Sequence, residues 1–92
     1  MVADATGMVQ TSVTEHVLAA LERITRTEEV RRNLDLELFE LDLLDSLGVV
    51  ELLVLLADRL GVEVSPAEFD RDAWATPRKI LAFVEARRAA IR

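Results

Sequence analysis

The chain of 92 residues is long enough for one small domain, and its 51% of hydrophobic residues favour a folded chain over a disordered one. It has no cysteine and one histidine, which excludes disulfides, thiolate metal sites and any chemistry that needs a thiol of its own. The net charge of −6 is concentrated in residues 34–72, where eleven acidic residues accompany two basic ones, and such a segment repels nucleic acid and anionic membranes.

Residues 1–10 are small and polar, which predicts a flexible N-terminal tail in front of a single domain over residues 11–92. The tail lacks the basic start and the apolar block of a signal peptide. The longest unbroken apolar run, residues 52–57, is too short to span a bilayer. We therefore expect a cytoplasmic protein with no membrane insertion.

The first helix is predicted from Ser12 to about Thr25. Ser12 and Glu15 form a capping box, with serine at the N-cap and glutamate at the third helical position. Apolar residues then recur at helical spacing, as expected for one buried face: Val13, Val17, Leu18, Leu21 and Ile24.

Residues 26–45 are predicted to form a long ordered loop. Leu34, Leu36 and Leu38 alternate with acidic residues, and this alternation locally imitates a β-strand. Because the sequence contains no second strand pattern that could pair with it, we interpret the leucines as anchors that hold the loop on the core.

The second helix is predicted from about Leu47 to Leu60. Gly61 is placed to end it in the left-handed conformation, with an apolar contact from Val62. On a helical wheel, six apolar residues share the face that we expect to be buried: Val49, Val50, Leu53, Leu56, Ala57 and Leu60.

Two further helices are predicted from their first residues. Residues 65–68 form a second capping box with proline at the first helical position, which opens a short third helix holding Phe69. A Thr-Pro pair at residues 76–77 begins the last helix in a similar way. The predicted fold is all-α, a small four-helix bundle with three main helices, a short third helix and a long loop between helices 1 and 2.

The outward face of the second helix mixes apolar and acidic residues, unlike an ordinary solvated face: Leu47, Glu51, Val54 and Asp58, with Leu55 and Arg59 beside them. This mixture is typical of a docking surface with an apolar centre and a charged rim. It is equally consistent with a face covered by the loop of residues 34–44. The acidic middle of the chain leaves a similar choice open, between a basic protein partner and a solvated surface.

Ser46 lies where the second helix begins, and two interpretations are open. Either Ser46 is the N-cap, or Asp45 is the N-cap and the Ser46 hydroxyl faces solvent. Free N–H groups and partial positive charge at a helix N-terminus suit a phosphate-containing group esterified to this hydroxyl. Nothing around it activates Ser46 as a nucleophile, and His16 alone is too little for a metal site. We therefore expect a modified serine, no catalytic residue and no metal.

Residues 43–47, LLDSL, resemble the Asp-Ser-Leu attachment motif of acyl and peptidyl carrier proteins, and the likeness extends over residues 12–87. The resemblance implies a non-catalytic carrier, monomeric alone, whose Ser46 bears 4'-phosphopantetheine transferred from coenzyme A by a phosphopantetheinyl transferase. It also implies an adenylating aminoacyl ligase that loads the thiol as a thioester, and an acyltransferase or condensing enzyme that takes the cargo. The implied partner-recognition residues are Asp45, Leu47, Glu51, Val54, Leu55, Asp58 and Phe69.

A second block of residues indicates which subfamily of carrier proteins the chain resembles. Residues 65–77, SPAEFDRDAWATP, resemble the Glu-Phe-Asp-Arg and Trp-x-Thr-Pro segments of D-alanyl carrier proteins. Trp74 also suits a core anchor between the last two helices. Related carriers have a glycine three or four residues before the serine; here an aspartate in residues 41–43 can take the left-handed conformation instead.

Two features favour a pathway other than wall D-alanylation. The N-terminal tail is longer than a D-alanyl carrier needs, and ten arginines against one lysine indicate a high-GC genome, whereas wall D-alanylation is typical of low-GC bacteria. We therefore interpret the chain as a stand-alone aminoacyl or peptidyl carrier of polyketide or nonribosomal natural-product biosynthesis. The alternatives are a D-alanyl carrier for teichoic acid and, more remotely, an unmodified helical adaptor.

Overall fold

A computed structural model describes the backbone of residues 2–91 and the side chains of residues 13–89. The described backbone forms four α-helices: α1 Val2–Thr25, α2 Glu29–Arg32, α3 Ser46–Leu60 and α4 Pro77–Ile91. Two single turns of 3-10 helix, Pro66–Glu68 and Asp72–Trp74, lie between α3 and α4. No strand occurs within residues 2–91, and the predicted all-α fold is confirmed. None of the described helices is long and apolar enough to cross a membrane.

Helix α1 is longer than the sequence predicts, because its backbone is helical from Val2 rather than from Ser12. Residues 2–11 contain no proline that would stop a helix. The side chains of the first twelve residues lie outside the described part, and so does the predicted Ser12 cap. The flexibility of the tail stays a prediction. Further along, α1 buries Val17 and Leu21 at the predicted spacing.

The prediction of one long loop over residues 26–45 is wrong in part, because the one-turn helix α2 lies within it. The loop that remains between α2 and α3 is anchored on the core by its leucines, as predicted. Leu38 is fully buried, and its N–H donates to the Ala75 carbonyl at 2.8 Å. The Leu38 carbonyl accepts hydrogen bonds from the N–H groups of Leu43 and Leu44, at 2.9 and 3.1 Å. These bonds satisfy the backbone without a partner strand, which explains why the strand-like alternation forms an ordered loop.

Helix α3 buries a stripe that is rotated from the predicted one. Val50 is 54% exposed, so its assignment to the core is wrong, whereas Leu52 is fully buried. Ile24 of α1 and Leu44 of the loop both lie against Gly48, which is one helical turn before Leu52. Packing against these neighbours therefore turns the side of α3 that carries Gly48 and Leu52 toward the core. A helical wheel cannot show from which side the neighbours come. The rest of the predicted stripe is buried or half-buried: Val49, Leu53, Leu56, Ala57 and Leu60.

The predicted end of α3 and the predicted start of α4 are both confirmed. Gly61 has a φ of 67°, in the left-handed region, and its N–H donates to the Ala57 carbonyl, while Val62 after it is fully buried. The Thr76 hydroxyl oxygen accepts a hydrogen bond from the Lys79 N–H at 3.2 Å, where α4 begins.

The predicted short third helix is reduced to the 3-10 turn Pro66–Glu68, and Phe69 follows this turn instead of lying within it. The Glu68 carboxylate accepts hydrogen bonds from the backbone N–H and the hydroxyl of Ser65, at 3.4 and 3.3 Å. The cap predicted from the Ser-Pro sequence is present in this form, but the turn ends before it becomes an α-helix.

The phenylalanines and the tryptophan form one continuous row of rings. The ring centroids of Phe39 and Phe69 are 6.0 Å apart, those of Phe69 and Trp74 5.8 Å, and those of Trp74 and Phe83 5.0 Å. Trp74 is fully buried, as predicted for a core anchor. Its Nε1 has no hydrogen-bond partner among the described residues.

Arg31 of α2 joins two carboxylates of α1. Its Nε donates to Glu22 at 2.7 Å, and its terminal nitrogens donate to both oxygens of Glu15 at 3.0 and 2.7 Å. These hydrogen bonds lower the pKa of Glu15 and raise the pKa of Arg31. The two-point contact fixes the short helix on α1 more firmly than a single exposed ion pair would.

Two arginines of α4 hold the loops on either side of α3. Arg78 donates to both carboxylate oxygens of Asp35, at 2.8 and 3.2 Å, and this contact lowers the pKa of Asp35. Arg87 donates to the Glu68 carboxylate and to the Glu63 carbonyl. The pKa of Glu68 is lowered, chiefly by the hydrogen bond from Arg87 and then by the one from the Ser65 backbone.

Acidification is expected to weaken these contacts. In the folded chain the pKa values of Glu15, Asp35 and Glu68 lie below their ordinary values of 4.5, 3.8 and 4.5, so the unfolded chain binds protons first as the pH falls. The stability that these carboxylates contribute is therefore fully present above those ordinary values and is lost as the pH falls through the folded values. The urea midpoint of unfolding, followed by circular dichroism, should be lower at about pH 3.5 than at about pH 6.

The matched control is Arg78→Gln, which removes the group that lowers the pKa of Asp35. The midpoint of this variant should change less between the two pH values than the midpoint of the wild type. An equal change in both proteins would contradict the assignment of the pH dependence to these ion pairs.

Candidate functional site

The N-terminus of α3 is capped by Asp45 and not by Ser46. Asp45 has an extended backbone, with φ −126° and ψ −173°, and its Oδ1 accepts a hydrogen bond from the Gly48 N–H at 2.8 Å. The Asp45 carbonyl accepts the first helical hydrogen bond, from the Val49 N–H at 2.8 Å. Of the two interpretations that the sequence leaves open, the one with Asp45 as the N-cap is confirmed.

Ser46 is the first residue of α3, and it is exposed. Because Asp45 performs the capping, the Ser46 hydroxyl is free for another role. It lies beside the first turn of the helix, where N–H groups without helical acceptors and the partial positive charge of the helix dipole favour a negatively charged group. The arrangement suits a phosphate ester on this hydroxyl.

Gly48 allows the start of α3 to approach its neighbours closely. A Cβ atom on Gly48 would lie 2.9 Å from Leu44 Cδ1 and 3.0 Å from Ile24 Cγ2, both tighter than ordinary contact. The sequence pattern does not predict a role for Gly48. The available signal was a glycine inside an otherwise apolar helix, which costs stability unless something requires it.

The turn before the site also has the predicted backbone. Asp42 has a φ of 59°, in the left-handed region that aspartate tolerates better than most residues. Asp42 therefore takes the left-handed conformation that was expected of an aspartate in this turn.

A groove of about 340 Å³ opens beside Ser46, a size within the range of small-ligand sites, about 300–1,000 Å³. It lies between α3, the loop before α3 and the segment after it, and its lining includes Asp42, Ser46, Val50, Leu53, Pro66, Phe69 and Arg71. The Arg71 guanidinium lies over the Phe39 ring, 4.6 Å from its centroid. Arg71 and Phe39 were not singled out as site residues, because they are far apart in the sequence and meet only in the fold.

Four of the predicted recognition residues share one exposed face of α3. Leu47 and Val54 are 79% and 57% exposed, and the carboxylates of Glu51 and Asp58 are exposed beside them. The alternative that the loop of residues 34–44 covers this face is therefore wrong. The exposed Val50, assigned to the core by the helical wheel, adds to the apolar part of the same surface.

The other predicted recognition residues lie elsewhere. Asp45 is exposed next to Ser46 but is engaged as the cap, and Phe69 is half-buried in the groove. Leu55 is half-buried and lines a separate groove between α1 and α3, together with His16. His16 lines none of the groove beside Ser46, and the described residues hold no cluster of ligand side chains for a metal ion. His16 is therefore not placed in this groove to activate Ser46 as a nucleophile.

Comparison with known proteins agrees with this arrangement. A family model described as "Phosphopantetheine attachment site" matches residues 15–84, which is most of the chain.

Several curated D-alanyl carrier proteins are similar to the chain over nearly their whole length. The D-alanyl carrier protein of Enterococcus faecalis is 49% identical over 75 residues, covering 82% of this chain and 96% of that protein. The one of Listeria welshimeri is 49% identical over 72 residues, covering 78% and 92%. The one of Lacticaseibacillus casei is 47% identical over 78 residues, covering 85% and 96%.

Gly48→Val is expected to destabilise the chain by about 1–3 kcal/mol, the usual cost of overpacking a buried site. The added methyl groups would meet Leu44 and Ile24, which already lie 2.9 and 3.0 Å from the position of a Cβ. The free energy of unfolding in urea measures the effect.

The control is Leu47→Val, which places the same β-branched residue one position earlier, at a side chain that is 79% exposed. It should cost about 0.5 kcal/mol or less, the difference in helix propensity. Equal losses in the two variants would show that the close approach at Gly48 contributes nothing.

Proposed function

This chain belongs to the phosphopantetheine attachment family, and we propose that it is a D-alanyl carrier with Ser46 as the residue that holds the cofactor. Proteins of this family are carriers that bear 4'-phosphopantetheine covalently and catalyse no reaction themselves. They work with a phosphopantetheinyl transferase and with an adenylating ligase. When bound, the cofactor supplies a thiol that accepts an acyl group as a thioester, and so provides the sulfur that a chain without cysteine lacks.

The exposed Ser46 hydroxyl is the observation that carries the proposal. Esterification of Ser46 leaves the helix cap intact, because Asp45 and not Ser46 accepts the hydrogen bond from the Gly48 N–H. The N-terminal end of α3 stabilises the negative charge of a phosphodiester at this position. The described side chains therefore fit the cofactor at Ser46 without any rearrangement of the helix.

The exposed face of α3 suits the enzymes that must bind the carrier in turn. Leu47 and Val54 offer an apolar centre, and Glu51 and Asp58 offer negative charge to basic residues of each enzyme. A carrier has to leave one enzyme before it reaches the next. A small interface with an exposed charged rim favours fast association and modest affinity, which is what repeated exchange requires.

The similarity to D-alanyl carrier proteins supports D-alanine as the cargo. The identities of 47–49% extend over 92–96% of the curated relatives, and this supports the D-alanyl alternative better than the natural-product interpretation. That interpretation rested on the arginine content and on the length of the N-terminal tail, neither of which bears on Ser46 or on the exposed face of α3. A D-alanine-activating ligase would then load the carrier, and an acyltransferase that serves teichoic acid would unload it.

Ser46→Ala should fold like the wild type but gain no mass when treated with coenzyme A and a broad-specificity phosphopantetheinyl transferase. The wild type should gain one phosphopantetheine, measured by intact-protein mass spectrometry. Ser65→Ala, at another exposed serine that precedes a helical turn, is the control and should be modified like the wild type. An unmodified wild type would overturn the proposal.

The modified wild type should next accept D-alanine from a D-alanine-activating ligase and ATP, with a further gain in mass. L-alanine with the same ligase tests the specificity of the ligase. A phosphopantetheinylated chain that gains no mass from D-alanine would leave the carrier assignment intact and contradict D-alanine as the cargo.

Glu51→Arg and Val54→Asp should each lower the kcat/KM of loading by about tenfold, since they reverse a rim charge or place a charge in the apolar centre. The melting temperature should stay nearly unchanged, because both side chains are exposed. Glu85→Arg makes the same charge reversal on the exposed surface of α4 and is the control for net charge. If Glu85→Arg slows loading as much as Glu51→Arg, the effect is one of overall charge and not of a docking face.

A further inference from the structure

We propose that the groove between α1 and α3 is a binding site for a phosphate group, held by His16, Arg23 and Arg59. The groove has a volume of about 120 Å³, well below the range of about 300–1,000 Å³ that is usual for sites of drug-sized ligands. Its size therefore suits a compact anion. No residue lines both this groove and the groove beside Ser46, so the site goes beyond the proposed function and does not depend on it.

The spacing of residues along two helices builds the groove. The lining residues of α1 recur at i, i+3, i+4 and i+7, and those of α3 at i and i+4, so each set shares one helix face: His16, Ala19, Ala20 and Arg23, then Leu55 and Arg59. The two alanines are too small to fill the space between the helices. The longer side chains around them can all donate hydrogen bonds, apart from the leucine.

The charged side chains that line this groove are all basic. Arg23 and Arg59 are exposed, and no carboxylate of the described residues lines the groove with them, whereas Asp42 and Asp45 line the groove beside Ser46. Two like charges at one groove repel each other, and an anion between them would replace this repulsion by attraction. An anion is therefore the ligand that the charge of the groove favours, although the whole chain has a net charge of −6.

The nearest carboxylates of α1 are bound by another arginine. Glu22 directly precedes Arg23 in the sequence, and Glu15 lies about two turns earlier on the same helix. Both carboxylates pair with Arg31, each at 2.7 Å. Among the described side chains, neither Arg23 nor Arg59 forms an ion pair, whereas four other arginines do. The two guanidinium groups are therefore available to a ligand.

A phosphate group matches these donors better than a carboxylate does. The donors come from two helices, on opposite sides of the groove. A tetrahedral phosphate directs its oxygens to several sides, whereas the two oxygens of a carboxylate lie in one plane on one side of the group. A phosphate monoester also carries up to two negative charges, and arginine forms two-point contacts with phosphate oxygens.

An NMR titration of the full chain with inorganic phosphate at constant pH tests this proposal. The side-chain Nε–H resonances of Arg23 and Arg59 and the ring resonances of His16 should shift and saturate, with a Kd of about 10 mM, as expected for a few exposed ion pairs. Sodium chloride and sodium acetate at equal ionic strength should give much smaller shifts. Equal shifts with acetate would overturn the assignment to phosphate. Ser46→Ala should bind phosphate like the wild type, so the outcome is independent of the proposed attachment site.

Two variants test the charge and the shape of the site separately. Arg59→Gln should raise the Kd about fivefold, the effect of losing one exposed ion pair. Ala19→Leu keeps every charge but fills the space between the helices, and it should raise the Kd at least as much. Its helical circular dichroism should match that of the wild type, because Ala19 is only half-buried.

The matched control is Arg88→Gln, which removes an exposed arginine of α4 that does not line the groove. It should bind phosphate like the wild type. Equal weakening in Arg88→Gln and Arg59→Gln would show a general effect of charge and overturn the site. Undiminished binding by a folded Ala19→Leu would overturn it as well.

Vesicles distinguish two sources of the phosphate group. If the group belongs to a lipid headgroup, vesicles of phosphatidylglycerol and phosphatidylcholine should broaden the same resonances, and Arg59→Gln should reduce the effect. Vesicles of phosphatidylcholine alone are the blank. Saturable shifts with inorganic phosphate but not with vesicles would assign the site to a soluble phosphate compound. The absence of specific shifts in both experiments would overturn the proposal.

Discussion

The hydrogen bond from the Gly48 N–H to the Asp45 carboxylate is the interaction on which the site depends. The acceptor belongs to the residue before the serine, and it satisfies an N–H group in the first turn of α3. The Ser46 hydroxyl can therefore be esterified without loss of the helix cap. The same glycine lets this turn pack closely against Leu44 and Ile24, and that packing holds the start of α3 against α1 and the preceding loop. One residue without a side chain thus provides the donor for the cap and the close approach that holds the turn in place.

The local features of the fold could be predicted from the sequence, whereas the relative positions of its elements could not. The end of α3 at Gly61 and the start of α4 at Thr76 follow from residues adjacent in the chain, and so does the placing of Ser46 at a helix N-terminus. Val50 was wrongly predicted to be buried, because the periodicity of the apolar residues does not show on which side of the helix its neighbours pack. The groove beside Ser46 could not be predicted from the sequence for the same reason, since Arg71 contacts Phe39 only through tertiary packing.

The charges of the chain are arranged so that the acidic middle is partly neutralised at its margins. Arg78 reaches Asp35 at the start of the segment, and Arg87 reaches Glu68 near its end. Both arginines come from α4, outside the acidic segment, and both contacts hold loops that flank α3. The carboxylates on α3 itself stay exposed. The same distribution of charge therefore stabilises the loops and leaves a negative surface on α3.

The row of aromatic rings gives the chain a built-in optical reporter. The single tryptophan, Trp74, is sealed in apolar surroundings, and its indole N–H has no described partner, so its fluorescence should resemble that of an indole in a hydrocarbon more than that of one in water. Through Phe69 the indole is in contact with the wall of the groove beside Ser46. A change in how that wall packs would alter the emission of this one chromophore, so the packing of the wall can be followed in dilute solution without attaching any dye.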